Sequence, residues 1–511
     1  MFSLNKSLKI VSFAVYFILL VGISGKLFFE KQFDAFIETI SSLKTEKSHS
    51  LTIAYADSFA ALNPLLNDTG SRSRLLHIYD GLVKIGTDLQ IKPGLALSYG
   101  SIDDFTWEFR LRPSVKFHNG KPLTADDVIF SLAQAKENPA SGVKDLASTI
   151  QAVNKIDDER IQLITDSPDP LLLQKLSSFL IFQKDSNPAD QSLSIGTGPY
   201  KAEKNSQGTV ELARFEDYWG EKPVFERVVL QTLAKRDEKI SALKNRSVDI
   251  LANLPADIAN NFQYRGYQLA SAASLEVNFL MFNFDRVFRS RDLRQAVKLM
   301  LNTAQLGRLA QGFSVPATQF VGDGIFGYNP QITLPSRDPV KASELVKKVS
   351  GVQPVRVNLD LPRGLEVFGE NVSEQLKKIN MEVTPQFYPP DQLGQRITNR
   401  SSEFFFFGWR SELGDASDFL TAVVHSPSGN FGQFNGGNYR NGEADRLIEL
   451  SQETLVVDVR LEKLRTVMKK ITEDDVIGIP LFSPEILSAV SKKLDFSPRV
   501  DGYVLAQEVK L

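Results

Sequence analysis

Aromatic and aliphatic residues occupy every second position in several short stretches of the chain, and this period of two predicts half-buried strands. Residues 105–112, FTWEFRLR, carry the clearest example. Asn119 and Gly120 follow soon after, and this pair is suited to the positive φ angles of a tight hairpin turn. Thr124 then precedes Asp127 by three positions, the spacing of a helix N-cap, and apolar residues at helical spacing come next. The region therefore predicts a strand, a turn and a capped helix in succession.

Strand-like and helix-like patterns alternate along the rest of the chain, which predicts an α/β class that includes α+β lobes. A chain of 511 residues also exceeds what one hydrophobic core usually serves, so two or three lobes are expected. Further strands are predicted at residues 51–55, 153–164, 228–233, 277–283, 355–361, 382–387 and 404–409, and helices at residues 171–182, 239–244, 291–301, 367–379, 447–455 and 461–471.

A longer ordered pattern surrounds the strand at residues 105–112. The order PGLA, then an aromatic-rich strand ending in LRPSVKFHNG, then KPLTADDVIFSL resembles the signature region of family 5 extracellular solute-binding proteins. These proteins serve peptide, oligopeptide and nickel importers of the ABC type. SIGTGPY at residues 194–200 is also similar to a family motif, and the resemblance covers residues 51–511. It implies a type II periplasmic-binding-protein-like cleft fold, with two domains and an extra α+β lobe inserted in the first.

The resemblance also implies a division of the chain into segments. We expect the two domains to close by a hinge motion through two strand crossings, near Ser274 and Pro480. The expected segments are a signal peptide or membrane anchor (1–30), a linker (31–50), the opening segment of domain I (51–92), the inserted lobe (93–193), the continuation of domain I (194–274), domain II (275–481) and a C-terminal return to domain I (482–511).

Composition excludes several classes of function. The formal net charge is −2, and no long basic run occurs beyond the extreme N-terminus, so nucleic acid is not an expected partner. The absence of cysteine excludes disulfides, thiol nucleophiles, cysteine metal sites and the lipid-modified cysteine that anchors many binding proteins. The four histidines are isolated in sequence, and the chain has no HExxH, GxSxG or phosphate-loop motif. We therefore expect neither catalysis nor a cofactor.

The N-terminus predicts export. Lys6 and Lys9 precede an uncharged apolar run at residues 10–25, which suits a cleaved signal peptide but lacks a clear cleavage motif. If Lys26 snorkels, residues 10–29 are long enough for an uncleaved anchor, and the lysines place the N-terminus in the cytoplasm. Both interpretations stay open, the anchor being slightly favoured, and both place the following chain in the periplasm.

Candidate ligand residues lie in FFFFGWRSELGDASDFL, residues 404–420, which resembles the family stretch at the cleft. In dipeptide-binding relatives an aspartate of a GDP turn accepts the α-ammonium group of the ligand. The resemblance places Asp415 at that position, with Asp418 as the second candidate, although Ala416 replaces the usual proline. A charged amine that leaves water needs such a partner. Trp409 is a candidate floor of the pocket or a core residue, and Asp415 could instead be a solvated loop acid.

The carboxylate end of a peptide is best matched by a bidentate arginine. Arg363, in LDLPRG, resembles the arginine position of dipeptide binders, and Arg410 is the competing candidate. His425, in VVHSPSG, becomes a ligand candidate only if the solute is a metal chelate, since imidazole suits nickel. Otherwise it is an ordinary surface histidine.

The resemblance thus predicts a monomeric, non-catalytic receptor that captures short peptides or similar zwitterions in an interdomain cleft. It would deliver them to an ABC permease complex in the inner membrane. Two other classes remain open: a receptor for another solute, such as a nickel or other metal chelate, an oligosaccharide or an opine, and a sensor or scaffold that kept the fold but lost transport.

Overall fold

The computed structural model describes residues 50–56, 61–184, 186–187, 194–206, 208–334 and 336–511. The expected signal peptide or anchor, including residues 10–29, and all but the last residue of the expected linker lie outside these ranges. Within the described ranges, no helix combines the length and the apolar character needed to cross a bilayer.

Strands and helices alternate along the described chain, as the sequence patterns predict. The strands are β1 (Ser50–Tyr55), β2 (Val83–Ile85), β3 (Ile91–Pro93), β4 (Ala96–Ser101), β5 (Thr106–Leu111), β6 (Ile150–Lys155), β7 (Arg160–Thr165), β8 (Tyr200–Ser206), β9 (Thr209–Arg214), β10 (Arg227–Thr232), β11 (Ile250–Leu251), β12 (Tyr267–Ala273), β13 (Glu276–Phe282), β14 (Ser314–Pro316), β15 (Val355–Pro362), β16 (Met381–Tyr388), β17 (Phe404–Arg410) and β18 (Gly478–Ser491). The α-helices are α1 (Thr69–Leu75), α2 (Ala125–Glu137), α3 (Leu172–Leu176), α4 (Arg236–Asn245), α5 (Ala256–Ala259), α6 (Arg291–Met300), α7 (Thr303–Gln311), α8 (Pro339–Ser350), α9 (Glu366–Lys377), α10 (Pro390–Thr398), α11 (Ser417–Phe419), α12 (Gly442–Glu453) and α13 (Val457–Lys469).

One mixed sheet runs through the molecule in the order β16-β15-β17-β13-β18-β11-β1-β10-β9-β8, and β12 and β14 also pair with β18. The beginning of β18 pairs with β13, whereas its end pairs with β12 and β11. We therefore divide the described chain into a first half, residues 50–273 and 485–511, and a second half, residues 276–482. The long strand β18 belongs to both.

The chain crosses between the halves at two adjacent places. One crossing is the short link between β12 and β13, where the Ser274 amide donates to the Pro484 carbonyl at 2.9 Å. The other lies within β18. Pro480 still pairs with Phe279 of the second half, and pairing with the first half begins at Glu485. The second crossing therefore lies slightly beyond the expected position at Pro480.

The apolar cores follow the same division. Two clusters fill the first half, a large one from residues 51–252 and 490–509 and a smaller one from residues 54, 242–267 and 487–489, and two clusters within residues 275–482 fill the second. Six of the seven residues of β13 are buried, which agrees with its largely apolar sequence, EVNFLMF. Leu89 and Val500 of the first half are among the few side chains that pack against a core of the second.

A separate four-stranded sheet, β4-β5-β7-β6, contains the strand at the centre of the signature pattern. The predicted cap of α2 is confirmed, since the Thr124 amide donates to Asp127 Oδ2 at 2.9 Å. The predicted turn is also present, with the Gly120 amide donating to the Phe117 carbonyl at 2.8 Å. Gly120 has a φ of 84°, but Asn119 is not among the described residues with positive φ, so that element of the expectation is wrong. One left-handed residue is enough for a longer hairpin loop.

Candidate functional site

A cavity of about 340 Å³ lies where the two halves meet. Its size falls in the range of small-molecule pockets, roughly 300–1,000 Å³. Almost all of its lining comes from the first half, and Glu412, in the loop after β17, is the contribution of the second. The first-half lining is Arg72 of α1 and Leu76 directly after it, residues 80–81, 83–87, 92 and 94 around the β2–β3 hairpin, Ser177 and Ser178 after α3, residues 218 and 220–221, and the C-terminal residues 499, 503, 505, 507 and 508.

Asp80 forms a polar corner of this cavity. Its Oδ2 accepts from Thr197 Oγ1 at 3.0 Å and from the Trp219 indole Nε1 at 2.9 Å. Burial raises the pKa of Asp80 to about 6, although these hydrogen bonds and the charge of Lys84 oppose the shift. Arg112 lies over the Trp219 ring, 4.7 Å from its centroid, so the ring contacts a cation at its face and Asp80 at its Nε1 edge. The corner therefore carries a buried, hydrogen-bonded carboxyl group with a raised pKa.

Arg499 lines the cavity from the C-terminal segment, and its charge is neutralised by neighbouring side chains. Its guanidinium contacts Asp501, with the closest N–O distance 2.5 Å, and donates to Glu508 Oε1 at 2.8 Å. It also donates to the Ile85 carbonyl at 3.2 Å, which ties the C-terminal segment to the β2–β3 hairpin. Arg499 is only 5% exposed, so it serves mainly as a structural brace of the cavity wall.

Arg72 lines the same cavity and has different partners. It is 3% exposed, and its Nη1 and Nη2 donate to the carbonyls of Ser178 and Ser177 at 2.8 and 2.9 Å. Its Nε is buried without a hydrogen-bond partner. Burial lowers the pKa of Arg72, and the nearby Tyr503 hydroxyl opposes this shift. Arg72 thus brings a buried positive charge to the cavity wall.

Glu412 is the carboxylate that the second half presents to the cavity. Its side chain is 67% exposed, and Arg410 Nε lies 3.9 Å away. Glu412 was not among the residues predicted from the sequence, although it lies in the GW…GD loop that was identified as the ligand segment. The sequence around it, RSELG, contains polar residues and a glycine, which favour an exposed loop. This was the available signal that Glu412 could face a ligand.

Asp415 lies away from the cavity, inside the second half. It is 0% exposed and receives both ends of the Arg460 guanidinium, at 2.6 Å on Oδ2 and 2.9 Å on Oδ1. The loop is fixed by a β-bridge between Phe326 and Asp415, and Gly414 adopts a φ of 67° just before it. This geometry turns Asp415 inward and makes it one partner of a buried ion pair. In this arrangement both carboxylate oxygens of Asp415 accept from Arg460, and Asp415 does not line the cavity, so its contact with a ligand ammonium group stays a prediction.

Asp418 and Trp409 lie beside this ion pair, and neither lines the cavity. Burial raises the pKa of Asp418 to about 7, and the charge of Asp415 adds to the rise. Trp409 packs against Phe434 and Phe419, with ring centroids 5.9 and 6.2 Å away. Trp409 is half-buried in this packing, and its role as a pocket floor stays a prediction.

The two predicted arginines lie at one edge of the second-half sheet, because β15 and β17 run parallel and end on the same side. Arg363 follows β15 and is exposed, outside the cavity lining. Arg410 ends β17 and donates from Nη2 to the Asp501 carbonyl of the first half at 2.8 Å. In the described structure Arg410 therefore links the two halves.

His425 is buried, not at the surface. Its Nε2 lies 3.1 Å from Glu449 Oε1, its Nδ1 lies 2.7 Å from the Ser426 carbonyl, and its ring stacks on Phe431. It does not line the cavity. Across the described ranges, no three metal-ligating side chains come together as a metal site.

Comparisons with known proteins agree with one another. Residues 90–431 match the model of the "Bacterial extracellular solute-binding proteins, family 5 Middle". The "Nickel-binding protein NikA" of Staphylococcus aureus is 22% identical over 443 residues, covering 83% of this chain and 87% of that protein. The "Dipeptide-binding protein" of Escherichia coli is 26% identical over 406 residues, covering 71% and 76%. The solved structure of HbpA2 from Haemophilus parasuis matches with a TM-score of 0.82 and 20% identity over 90% of this chain and 99% of that one. The predicted two-domain cleft fold is thereby confirmed.

Proposed function

The chain belongs to the family 5 bacterial extracellular solute-binding proteins, and from this premise we propose that it captures short peptides or similar zwitterions in the cavity between its halves. As a family member it is the substrate-binding protein of an ABC transporter and not an enzyme. The proposal adds the class of solute and the place where the solute binds.

The distribution of charge in the cavity is the observation that carries the proposal. Cationic and anionic side chains are balanced, and the second half contributes a carboxylate to a wall that is otherwise built by the first. A zwitterion bound there would meet an opposite charge at each end, which compensates for the loss of its hydration. The cationic lining residues are Arg72, Lys84, Lys92 and Arg499, and the acidic ones are Asp80, Glu221, Glu412 and Glu508.

Glu412 takes, in this proposal, the role that the resemblance assigned to Asp415. Its carboxylate is exposed toward the cavity, whereas Asp415 is already neutralised by Arg460. An ammonium group of the solute would therefore bind at Glu412. Asp418, Trp409 and Arg363 would influence the solute only after a rearrangement that brings them to the cavity.

Closure of the halves would complete the site. The two crossings, at Ser274 and at Ser483–Glu485, lie side by side and form a natural hinge. A solute that contacts both walls binds the closed form better and shifts the population toward it. We further propose that residues 10–29 hold the receptor at the inner membrane, where tethering would raise its effective concentration near the permease.

A metal-chelate receptor is the second candidate, because the S. aureus nickel-binding protein matches a larger share of the chain than the dipeptide-binding protein does. Since no metal-ligating cluster occurs in the described residues, such a chelate would be held through its own carboxylate and amino groups. The same charged lining would serve both solutes.

Isothermal titration calorimetry on the full-length chain in detergent tests the proposal. The solutes are a panel of dipeptides and tripeptides, nickel(II) with L-histidine, and an oligosaccharide. We expect heat with at least one peptide, and a loss of about tenfold in affinity for Glu412→Gln because a charge-assisted contact is removed. Glu374→Gln, at an exposed position outside the cavity, is the matched control and should bind as the unchanged chain does. No heat with any peptide would refute the peptide proposal.

A further inference from the structure

Arg72 differs from Arg294, Arg460 and Arg499, three other buried arginines, in how its charge is balanced. Arg460 and Arg499 each contact aspartate carboxylates at 2.6 Å or less. Arg294 lacks such a pair, but its Nε and Nη1 donate to the carbonyls of Asp475, Val476, Phe288 and Arg289, and Phe284 lies 4.1 Å from its guanidinium carbon.

Arg72 has neither a carboxylate partner nor a full set of carbonyl acceptors. Two carbonyls, of Ser177 and Ser178, accept from its Nη atoms, and the Tyr503 hydroxyl lies nearby. No carboxylate of the described residues forms an ion pair with it, and its Nε has no partner. A buried arginine such as Arg72, which is 3% exposed, normally has an anion or a full set of acceptors around its guanidinium, because an unpaired buried charge is costly.

The cavity is the place from which an anion could reach this charge. Arg72, Tyr503, Ser177 and Ser178 all line it, so a bound molecule would contact the guanidinium and its neighbours together. A carboxylate matches the planar donor groups of arginine, and the fold has already removed much of the water from Arg72. An incoming carboxylate would therefore gain a strong contact without a further desolvation cost on the protein side.

We propose that Arg72, with Tyr503 beside it, binds a carboxylate of the solute. The inference rests on the proposed role of the cavity as the solute site, and it gives the solute a direction: its carboxylate lies against the first half, and its ammonium group faces Glu412 of the second. It differs from the position implied by the family resemblance, which is Arg363 in the second half. The carboxylate could belong to a peptide C-terminus or to a metal chelate.

The test compares acid and amide forms of one solute. Calorimetry on the full-length chain in detergent uses tri-alanine, tri-alanine amide, and nickel(II) with L-histidine. The unchanged chain should prefer the acid by about tenfold, and Arg72→Gln should bring the two affinities within about twofold. Arg72→Lys keeps the charge but loses the forked donors, so it should give an intermediate ratio. Arg227→Gln, at an exposed position at the start of β10, is the matched control and should keep the original ratio.

The outcomes distinguish two claims: that Arg72 binds a carboxylate, and that the chain is a peptide receptor. An unchanged acid-to-amide ratio in Arg72→Gln, or in Arg72→Lys if the glutamine variant does not fold, overturns the inference and leaves the peptide receptor standing. If Arg363→Gln removes the preference for the acid over the amide and the Arg72 variants keep it, the inference is also overturned. If only nickel with histidine binds, and Arg72→Gln weakens that binding, the inference stands and the peptide proposal fails. If nothing binds, both fail.

Discussion

Two carboxylates in the loop after β17 have different surroundings and, in our account, different roles. Glu412 is largely exposed and lines the cavity, whereas Asp415 is enclosed and paired with Arg460. The resemblance to dipeptide binders directs attention to Asp415. Its burial depends on Arg460, which lies 45 positions further along the chain. A local motif carries no information about such a distant partner, so the inward position of Asp415 could not be predicted from the sequence of the loop.

The Asp415–Arg460 pair should be required for stability. Asp415→Asn leaves a guanidinium that is 3% exposed without its counter-charge, and the free energy of unfolding should fall by about 3–5 kcal/mol. Urea unfolding followed by circular dichroism measures this. Asp217→Asn is the control, since its pair with Lys116 is half exposed and should contribute only about 0–1 kcal/mol. Equal losses in both variants would contradict the structural role of Asp415.

Asp418 should make stability depend on pH. Because its pKa is raised to about 7 in the folded chain, the folded state binds a proton that the unfolded state releases near pH 4. The favourable contribution is complete below pH 4 and is lost as the pH rises to about 7. At pH 8 the free energy of unfolding of Asp418→Asn, measured by urea unfolding, should therefore exceed that of the unchanged chain by roughly 1–3 kcal/mol. At pH 4 the two free energies should be nearly equal. A stability difference that does not change with pH would contradict this.

At the level of elements, the β2–β3 hairpin contributes to both the cavity and the contact between the halves. Leu89, at its tip, has a φ of 60° and packs against a core of the second half. Its Cβ lies 4.0 Å from the position that a Cβ at Gly414 would take, so the hairpin reaches the loop after β17. This element therefore couples the cavity wall to the arrangement of the halves.

Leu89→Asn should loosen this coupling. Asparagine tolerates a positive φ, so the turn should persist while the apolar contact across the halves is lost. Small-angle X-ray scattering of the variant without solute should give a larger radius of gyration, and urea unfolding should change by less than about 1 kcal/mol. Leu97→Asn, at an exposed position on the inserted sheet, is the control. An unchanged radius of gyration in Leu89→Asn would show that the hairpin does not hold the halves together.

Elements with a local cause were predictable, and those set by distant contacts were not. The cap at Thr124 and the buried strand β13 follow from residues adjacent in sequence. The partner change within β18 does not, because its sequence is apolar on both sides of Pro484 and only pairing with β12 and β13 locates the crossing. Arg72 escaped notice for the same reason: its helix is polar in sequence, and its burial depends on Ser177 and Ser178 after α3.

At the scale of the whole molecule, two separately packed halves share one sheet strand and meet at a charged cavity. In our proposal each half, with its own cores, moves as a unit about the two adjacent crossings. Burial of a solute with a charge at each end would supply the free energy that favours closure. The central claim is that solute binding draws the halves together.

A distance measurement between the halves tests this claim most directly. Because the chain has no cysteine, cysteines introduced at Lys222 of the first half and Glu366 of the second can each carry a single spin label. Both positions are exposed. Double electron–electron resonance on the labelled full-length chain should give a shorter mean distance when a tripeptide that produces calorimetric heat is added at saturation, and Glu412→Gln should require more peptide for the same change. A distance distribution that stays the same at saturating peptide would contradict the account.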